Sequence, residues 1–444
     1  MRARPARTAT ILALLGLVLL AASCGSSEPT DSSATASPLT AKLYGADANM
    51  SNSFGDALKD RPGALLGMKG TTPLTPLSAD FKSRLLDVDP QLSHFNYTGE
   101  TYDAVAIAAI AAEYAQTSDP ATIAKHIVGA TTGGTACATI ANCLELARQG
   151  KDLQYRGIAL RHSGLTDVGE PSSATYGTVS FARDNHIDDY RTEFVAVGDK
   201  KGQSTTPSPP PAKAKRNTGP LKIGGLLPHT GRLASFGPPL AAAAKLAVDE
   251  VNAAGGVLSS NVAWIDGDDG TNPEIALATV DKLAAQGVQV IIGAGASSTT
   301  KAVIPKIASI SRILISPAST SDELTTAEDA GMFFRTAPPD TLQGKALADV
   351  IMRDGPRRVA IAALDETYGN GLSQTVQSNL LLAGLPAADV LRVTYAAKDT
   401  YDPAVDVGAI FNPLAADIKA FEPDAILIVG SDESSYLIRS LLTE

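Results

Sequence analysis

From residue 220 onward, apolar and polar positions fall into two alternating rhythms. Short apolar runs, most of them rich in Val, Ile and Leu (221–227, 262–266, 288–292, 313–315, 333–335, 358–363, 390–394 and 425–429), are separated by longer stretches. In those stretches, among them 239–252, 273–286 and 299–310, apolar residues recur at three- and four-residue spacing. The first rhythm predicts buried strands and the second amphipathic helices. The stretch after Asn272 is punctuated at both ends: Asn272 can cap, Pro273 fits a first turn, and Gly287 stops the run. Ile275, Ala278 and Leu283 are expected near one face of it. Strand–helix alternation of this length predicts an α/β fold with mostly parallel sheets flanked by helices. Ligands of such folds sit outside the carboxyl ends of the strands.

The part before residue 199 does not repeat this pattern. It predicts short strands at 42–44 and 64–68, an Ala-rich helix from 101 to about 116, and a second helix after Asp119-Pro120. A late strand is expected at 176–181. Between the two parts, 199–219 contains Pro207, Pro209, Pro210 and Pro211, then Lys213, Lys215 and Arg216. Proline lacks the N–H and fixes φ, so the segment reads as a solvated, semi-rigid linker.

The N-terminus changes the picture by setting a compartment. Arg2, Arg4 and Arg7 precede an apolar run at 11–22 that is too short for a bilayer, which needs roughly 20 residues. With small residues before Cys24, this reads as a secretory signal over 1–23. Leu20-Ala21-Ala22-Ser23-Cys24 looks like a lipobox, with Ala21 where Leu is usual. Cys24 is then the expected lipidation site, 24–40 a flexible tether, and the location extracytoplasmic on a bacterial cell membrane. Removing 1–23 leaves 421 residues, enough for two lobes, and no later apolar run is long enough to span a membrane. Acidic residues outnumber basic ones, 47 to 37, which argues against nucleic acid as a partner. Cys137 and Cys143 close a short loop and, in an exported chain, are expected to form a disulfide. A metal pair is the alternative, with no His or third Cys at ligand spacing.

Six stretches, in order, resemble the type I periplasmic solute-binding proteins of the branched-chain amino acid (leucine/isoleucine/valine) transport family. They are 223–237 (IGGLLPHTGRLASFG), 251–257 (VNAAGGV), 293–300 (GAGASSTT), 316–325 (SPASTSDELT), 334–344 (FRTAPPDTLQG) and 368–372 (YGNGL). The resemblance implies a two-lobed fold, with lobe 1 at about 220–338 and part of lobe 2 at 339–444. Segment 41–198 resembles the family's C-terminal half, with parts of both lobes: 43–47 and 65–68 as second-lobe strands, 102–104 in the late helix, and 176–181 as the closing strand. The order is rotated, so a circular permutation is expected, with the Pro-rich linker joining the family's two ends. A fragment of a tandem pair and a misassembled gene are the alternatives.

By the same resemblance, Ser297 takes a ligand carboxylate with Ala296 packed beside it. A loop entering a helix favours an anion on backbone N–H groups; the local sequence alone favours simple capping by Ser297, and the resemblance reverses that. The Ala318 carbonyl and Thr320 face the same cleft, Tyr368 closes over it, and Phe236 lines a side-chain pocket. Asp47 stands where the family has a Glu that binds the ammonium; a charge-assisted bond is strong, and the shorter side chain leaves the identity of the solute open. The implied activity is capture of an amino acid or similar solute by lobe closure and delivery to an ABC permease, by a monomer without cofactor or metal. A ligand-sensing receptor with a separate signalling partner is the alternative. An enzyme is disfavoured: His94, His126, His162, His186 and His229 are scattered, and there is no HExxH, GxSxG or complete P-loop.

Overall fold

The structure, a computed structural model, describes residues 41–211 and 219–443. The expected signal 1–23, the tether 24–40 with Cys24, and Lys213, Lys215 and Arg216 lie outside the described residues. Six strands precede the Pro-rich segment: β1 Lys42–Gly45, β2 Lys69–Pro73, β3 Thr135–Cys137, β4 Leu153–Tyr155, β5 Ser173–Ser180 and β6 Glu193–Gly198. Eight follow it: β7 Lys222–Leu226, β8 Ala263–Ile265, β9 Val290–Gly293, β10 Ile313–Ser316, β11 Phe333–Arg335, β12 Val359–Asp365, β13 Val390–Ala396 and β14 Ala425–Val429.

They form two large sheets. The first, in order β8-β7-β9-β10-β11, is wholly parallel. The second runs β13-β12-β14-β1-β2 in parallel and ends in antiparallel β5 and β6. Numbering each parallel set from β7 and from β12, the spatial order is second-first-third-fourth-fifth in both. In the second sheet the step from third to fourth strand passes from β14 to β1, which pair over Lys42–Ala425 to Gly45–Ile428.

Each sheet buries both faces, as parallel sheets must. In β12, Ala360, Ala362 and Leu364 enter one core and Val359, Ile361 and Ala363 the other, the period of two expected of a strand. The first lobe draws on both parts of the sequence. Helix Thr98–Ala115, every residue buried, packs on helix Gly237–Ala253, and alanines on both allow close approach. Beside them, Cys137 at the end of β3 is joined to Cys143 in helix Ile140–Arg148. Three segments cross between lobes: 74–78, 161–172 and 336–339.

Three sequence expectations are corrected. Residues 64–68 form turns, and the strand begins at Lys69, because Gly63 and Gly67 at φ +83° and +80° bend the chain first. Helix Pro273–Ala285 is capped by Asn272 as expected, but Ile275 is exposed and the buried face is Ala276, Val280 and Leu283. The linker is not solvated at its start: Ser204 is buried beside Asp167, and the Gln203 amide oxygen accepts from Gly164 N–H at 3.1 Å. Among the described residues, no helix is long and apolar enough to cross a membrane.

Candidate functional site

The carboxyl ends of both parallel sheets face each other. In the first lobe β9 ends at Gly293, whose φ of +145° and approach to the Leu226 carbonyl (2.0 Å from an added Cβ) exclude a side chain. The loop beyond it is stapled to its neighbours. The Ala294 carbonyl accepts from Ser316 Oγ at 2.8 Å and Ser319 Oγ at 3.0 Å, and Gly295 N–H donates to Asp269 at 2.7 Å. Burial pushes Asp269 up to about 6. Helix Ser297–Ser309 then starts with no side-chain cap, so its first N–H groups have no intrahelical partner.

Ser297 does not cap its own helix. Its Oγ accepts from Thr320 N–H and Ser321 N–H, both at 3.2 Å, and so ties together the loops after β9 and β10. Thr320 is buried at this tie and is not among the residues lining the cavity, where it was expected. Its backbone N–H is committed to Ser297.

The second lobe contributes the acid. Asp47 follows β1 and is 4 % exposed. Tyr97 donates to its Oδ2 at 2.5 Å, and Gln343 Nε2 and Tyr368 Oη both donate to Oδ1 at 2.7 Å. Burial, then the charge of Asp47, pushes both phenols up, so they remain O–H donors. Tyr97 comes from the first lobe, where it packs with Leu227, Phe236 and Leu240, and its bond to Asp47 crosses between lobes. Asp340, fully buried, is held well above the carboxylate range by burial and by Asp47.

Asp47, Phe236, Ala296, Ser297, Ala318 and Tyr368 therefore line one cavity, six of the seven expected residues. Its volume is about 40 Å³, room for roughly one water, whereas small-molecule sites run from roughly 300 Å³ upward. The lobes are in contact around it. Arg232 pairs with Glu366 at 3.3 Å and reaches Ser431 at 3.2 Å, and Ser298 Oγ donates to Glu366 at 2.6 Å. Admitting an amino acid requires these contacts to open. Among the described residues, no group of three His, Cys, Asp or Glu is placed to hold a metal ion.

Sequence reasoning missed Tyr97, Gln343, Arg232 and Glu366. Arg232 and Gln343 lie inside the quoted stretches 223–237 and 334–344, so the signal was present. Tyr97, at φ 59° before a helix, stands in a segment without pattern.

A Periplasmic binding protein family model matches residues 220–437. The chain is 30% identical over 180 residues to the Leu/Ile/Val-binding protein of Citrobacter freundii, covering 40% of this chain and 49% of that one. It is 29% identical over 222 residues to the amino acid binding protein of Pseudomonas aeruginosa, covering 49% and 56%. The chain thus spans about half the length of the curated relatives it matches. Among solved structures, the branched-chain amino acid transporter substrate binding protein LivJ from Streptococcus pneumoniae in complex with isoleucine is 26% identical. That match covers 48% of this chain and 57% of LivJ, with a TM-score of 0.40.

Proposed function

We propose, from the match of residues 220–437 to a periplasmic binding protein family model, that this chain captures an amino acid or similar small solute between its two lobes. The family consists of solute-binding proteins, not enzymes. One observation carries the reading. A buried carboxylate at the end of β1 faces an uncapped helix N-terminus at the end of β9 across a cavity shared by both lobes. An ammonium suits the first and a carboxylate the second.

In this reading Ser297 and the N–H groups opening its helix hold the carboxylate, while Asp47 and the Ala318 carbonyl hold the ammonium. Phe236, Leu233 and Leu240 offer an apolar wall to a side chain. Thr320 acts at one remove, by holding Ser297 in place. Ligand favours closure through contacts in the closed state only, here with Asp47 and Tyr368 of the second lobe. A micromolar ligand corresponds to about 8 kcal/mol, plausible for a doubly charged solute desolvated between lobes.

Lipid on Cys24, residence outside the cytoplasm and delivery to an ABC permease complete the proposal. So does the rotated chain order, for which the repeated strand order of the two sheets, with β1 beside β14, is the support. The test is thermal unfolding of the purified chain against single amino acids. A ligand at a thousand times its Kd adds about 4 kcal/mol, and Asp47→Ala should abolish that gain. If no amino acid raises the midpoint, or if Asp47→Ala leaves the rise intact, the proposed site is wrong.

A further inference from the structure

A second cavity between the lobes, of about 340 Å³, has Met50 and His94 in its lining. It falls within the roughly 300–1,000 Å³ typical of small-molecule sites. Val179 and Ile187 on one wall belong to the second-lobe core, and Leu77 and Phe95 on the other pack against the first-lobe core. Alternate residues of β2 face it, so Thr72 lines it and Thr71 does not.

Three features point to a ligand. Thr72 is 1 % exposed, yet its Oγ1 has no hydrogen-bond partner. His94 Nε2 lies 3.2 Å from the Ser235 carbonyl, which fixes the proton there and leaves the buried Nδ1 an acceptor without a donor. Lys82, its ammonium 5.3 Å from the Phe95 ring centre, makes no ion pair among the described residues. Asp189, the one carboxylate on the lining, is exposed.

We infer that this cavity binds a small apolar monocarboxylate, its body between Val179 and Phe95 and its carboxylate toward Lys82. Thr72 Oγ1 and His94 Nδ1 offer partners to a further polar group. Because both lobes form the walls, an occupant favours the closed arrangement. Binding here does not depend on which solute the first cavity takes.

Phenylacetate is the probe, titrated into the full chain by calorimetry with uncharged phenylacetamide as control. Saturable phenylacetate binding at millimolar concentration is expected, weakened about fivefold by Lys82→Gln, the scale of a part-exposed charge pair. Val179→Phe, which intrudes on the space between Val179 and Phe95, should weaken it, and Tyr368→Ala in the first cavity should leave it unchanged. Lys82 lies toward the surface, so its variant keeps the test valid even where Val179→Phe does not fold. Absence of binding overturns the inference, as does equal affinity in Lys82→Gln. Loss of binding in Tyr368→Ala overturns it too, because the probe would then occupy the first cavity.

Discussion

Replacing Glu170 by Ala tests how the strand-end loops of the first lobe are held. Arg335, at the end of β11, is fully buried, and its guanidinium reaches Glu170 Oε2 from Nη2 at 2.5 Å and from Nε at 3.1 Å. It also donates to the carbonyls of Ser319 and Ser321 and to Thr325 Oγ1, at 3.3, 2.8 and 2.7 Å. Glu170 lies in the crossing segment 161–172, so the pair fastens that segment to the loop that positions Ser297. Breaking a buried pair costs roughly 3–5 kcal/mol, because the remaining charge stays desolvated. The Glu170 side chain is 12 % exposed, which lets water approach Arg335 and sets the expectation near the lower bound, about 3 kcal/mol. Urea unfolding of Glu170→Ala, Arg335→Met and Arg335→Met/Glu170→Ala measures the coupling. The double variant should lose less than the sum of the singles, retaining a cost of roughly 1–2 kcal/mol for carbonyls left without donors. A Glu170→Ala loss below about 0.5 kcal/mol, or strict additivity, refutes the reasoning.

Tyr97→Phe keeps the ring packing but removes the bond to Asp47 that crosses the lobes; a hydrogen bond to a charged group is worth roughly 1.5–3 kcal/mol. Ligand release measured by stopped flow should therefore quicken by about tenfold or more, and an unchanged rate would place closure elsewhere. Glu100, buried at the start of helix Thr98–Ala115, is pushed from 4.5 up to about 8 by burial. Between those values the unfolded chain has released the proton and the fold retains it, so stability falls as pH rises through that window and levels off above it. Glu100→Gln should remove this fall, leaving the variant more stable than its parent above about pH 8 and equal to it below about 4.5; parallel pH curves would exclude Glu100 as the cause. Cys24→Ser should move the protein from the membrane to the soluble fraction on cell fractionation; persistence at the membrane would reject the lipid anchor.

The strands after residue 220 were legible because buried parallel strands are short, continuous apolar runs bounded by turns. The same rule failed at 64–68, where the apolar Leu65, Leu66 and Met68 stand in turns: Leu65 and Met68 are buried without being in a strand, and Leu66 is exposed. Strand β2, Lys69–Pro73, carries Gly, Thr and Pro and offers no hydrophobic pattern, because its neighbours β1 and β5 supply the apolar contacts. At the candidate site, Asp47, Ser297 and Tyr368, which line one cavity, were legible through resemblance to family strings. Their partners were not, since Tyr97 and Gln343 reach Asp47 only through a tertiary arrangement that spacing does not encode. The exposed Ile275 shows the same limit within one helix, where the sequence names the apolar residues but the neighbouring sheet decides which of them is covered.

The pairing of β1 with β14 means that neither lobe is a continuous stretch of chain. The second sheet closes only when residues near both ends of the described sequence meet, and the first lobe needs helix Thr98–Ala115 to find helix Gly237–Ala253. Contacts this remote close slowly, because loop entropy is lost before they form, so the second-lobe core cannot complete until Ala425–Val429 has been made. The covalent joint at 199–219 has the opposite character. Two polypeptides cut there would still share both hydrophobic interiors, and they should reassemble from separate strands of synthesis as a split pair.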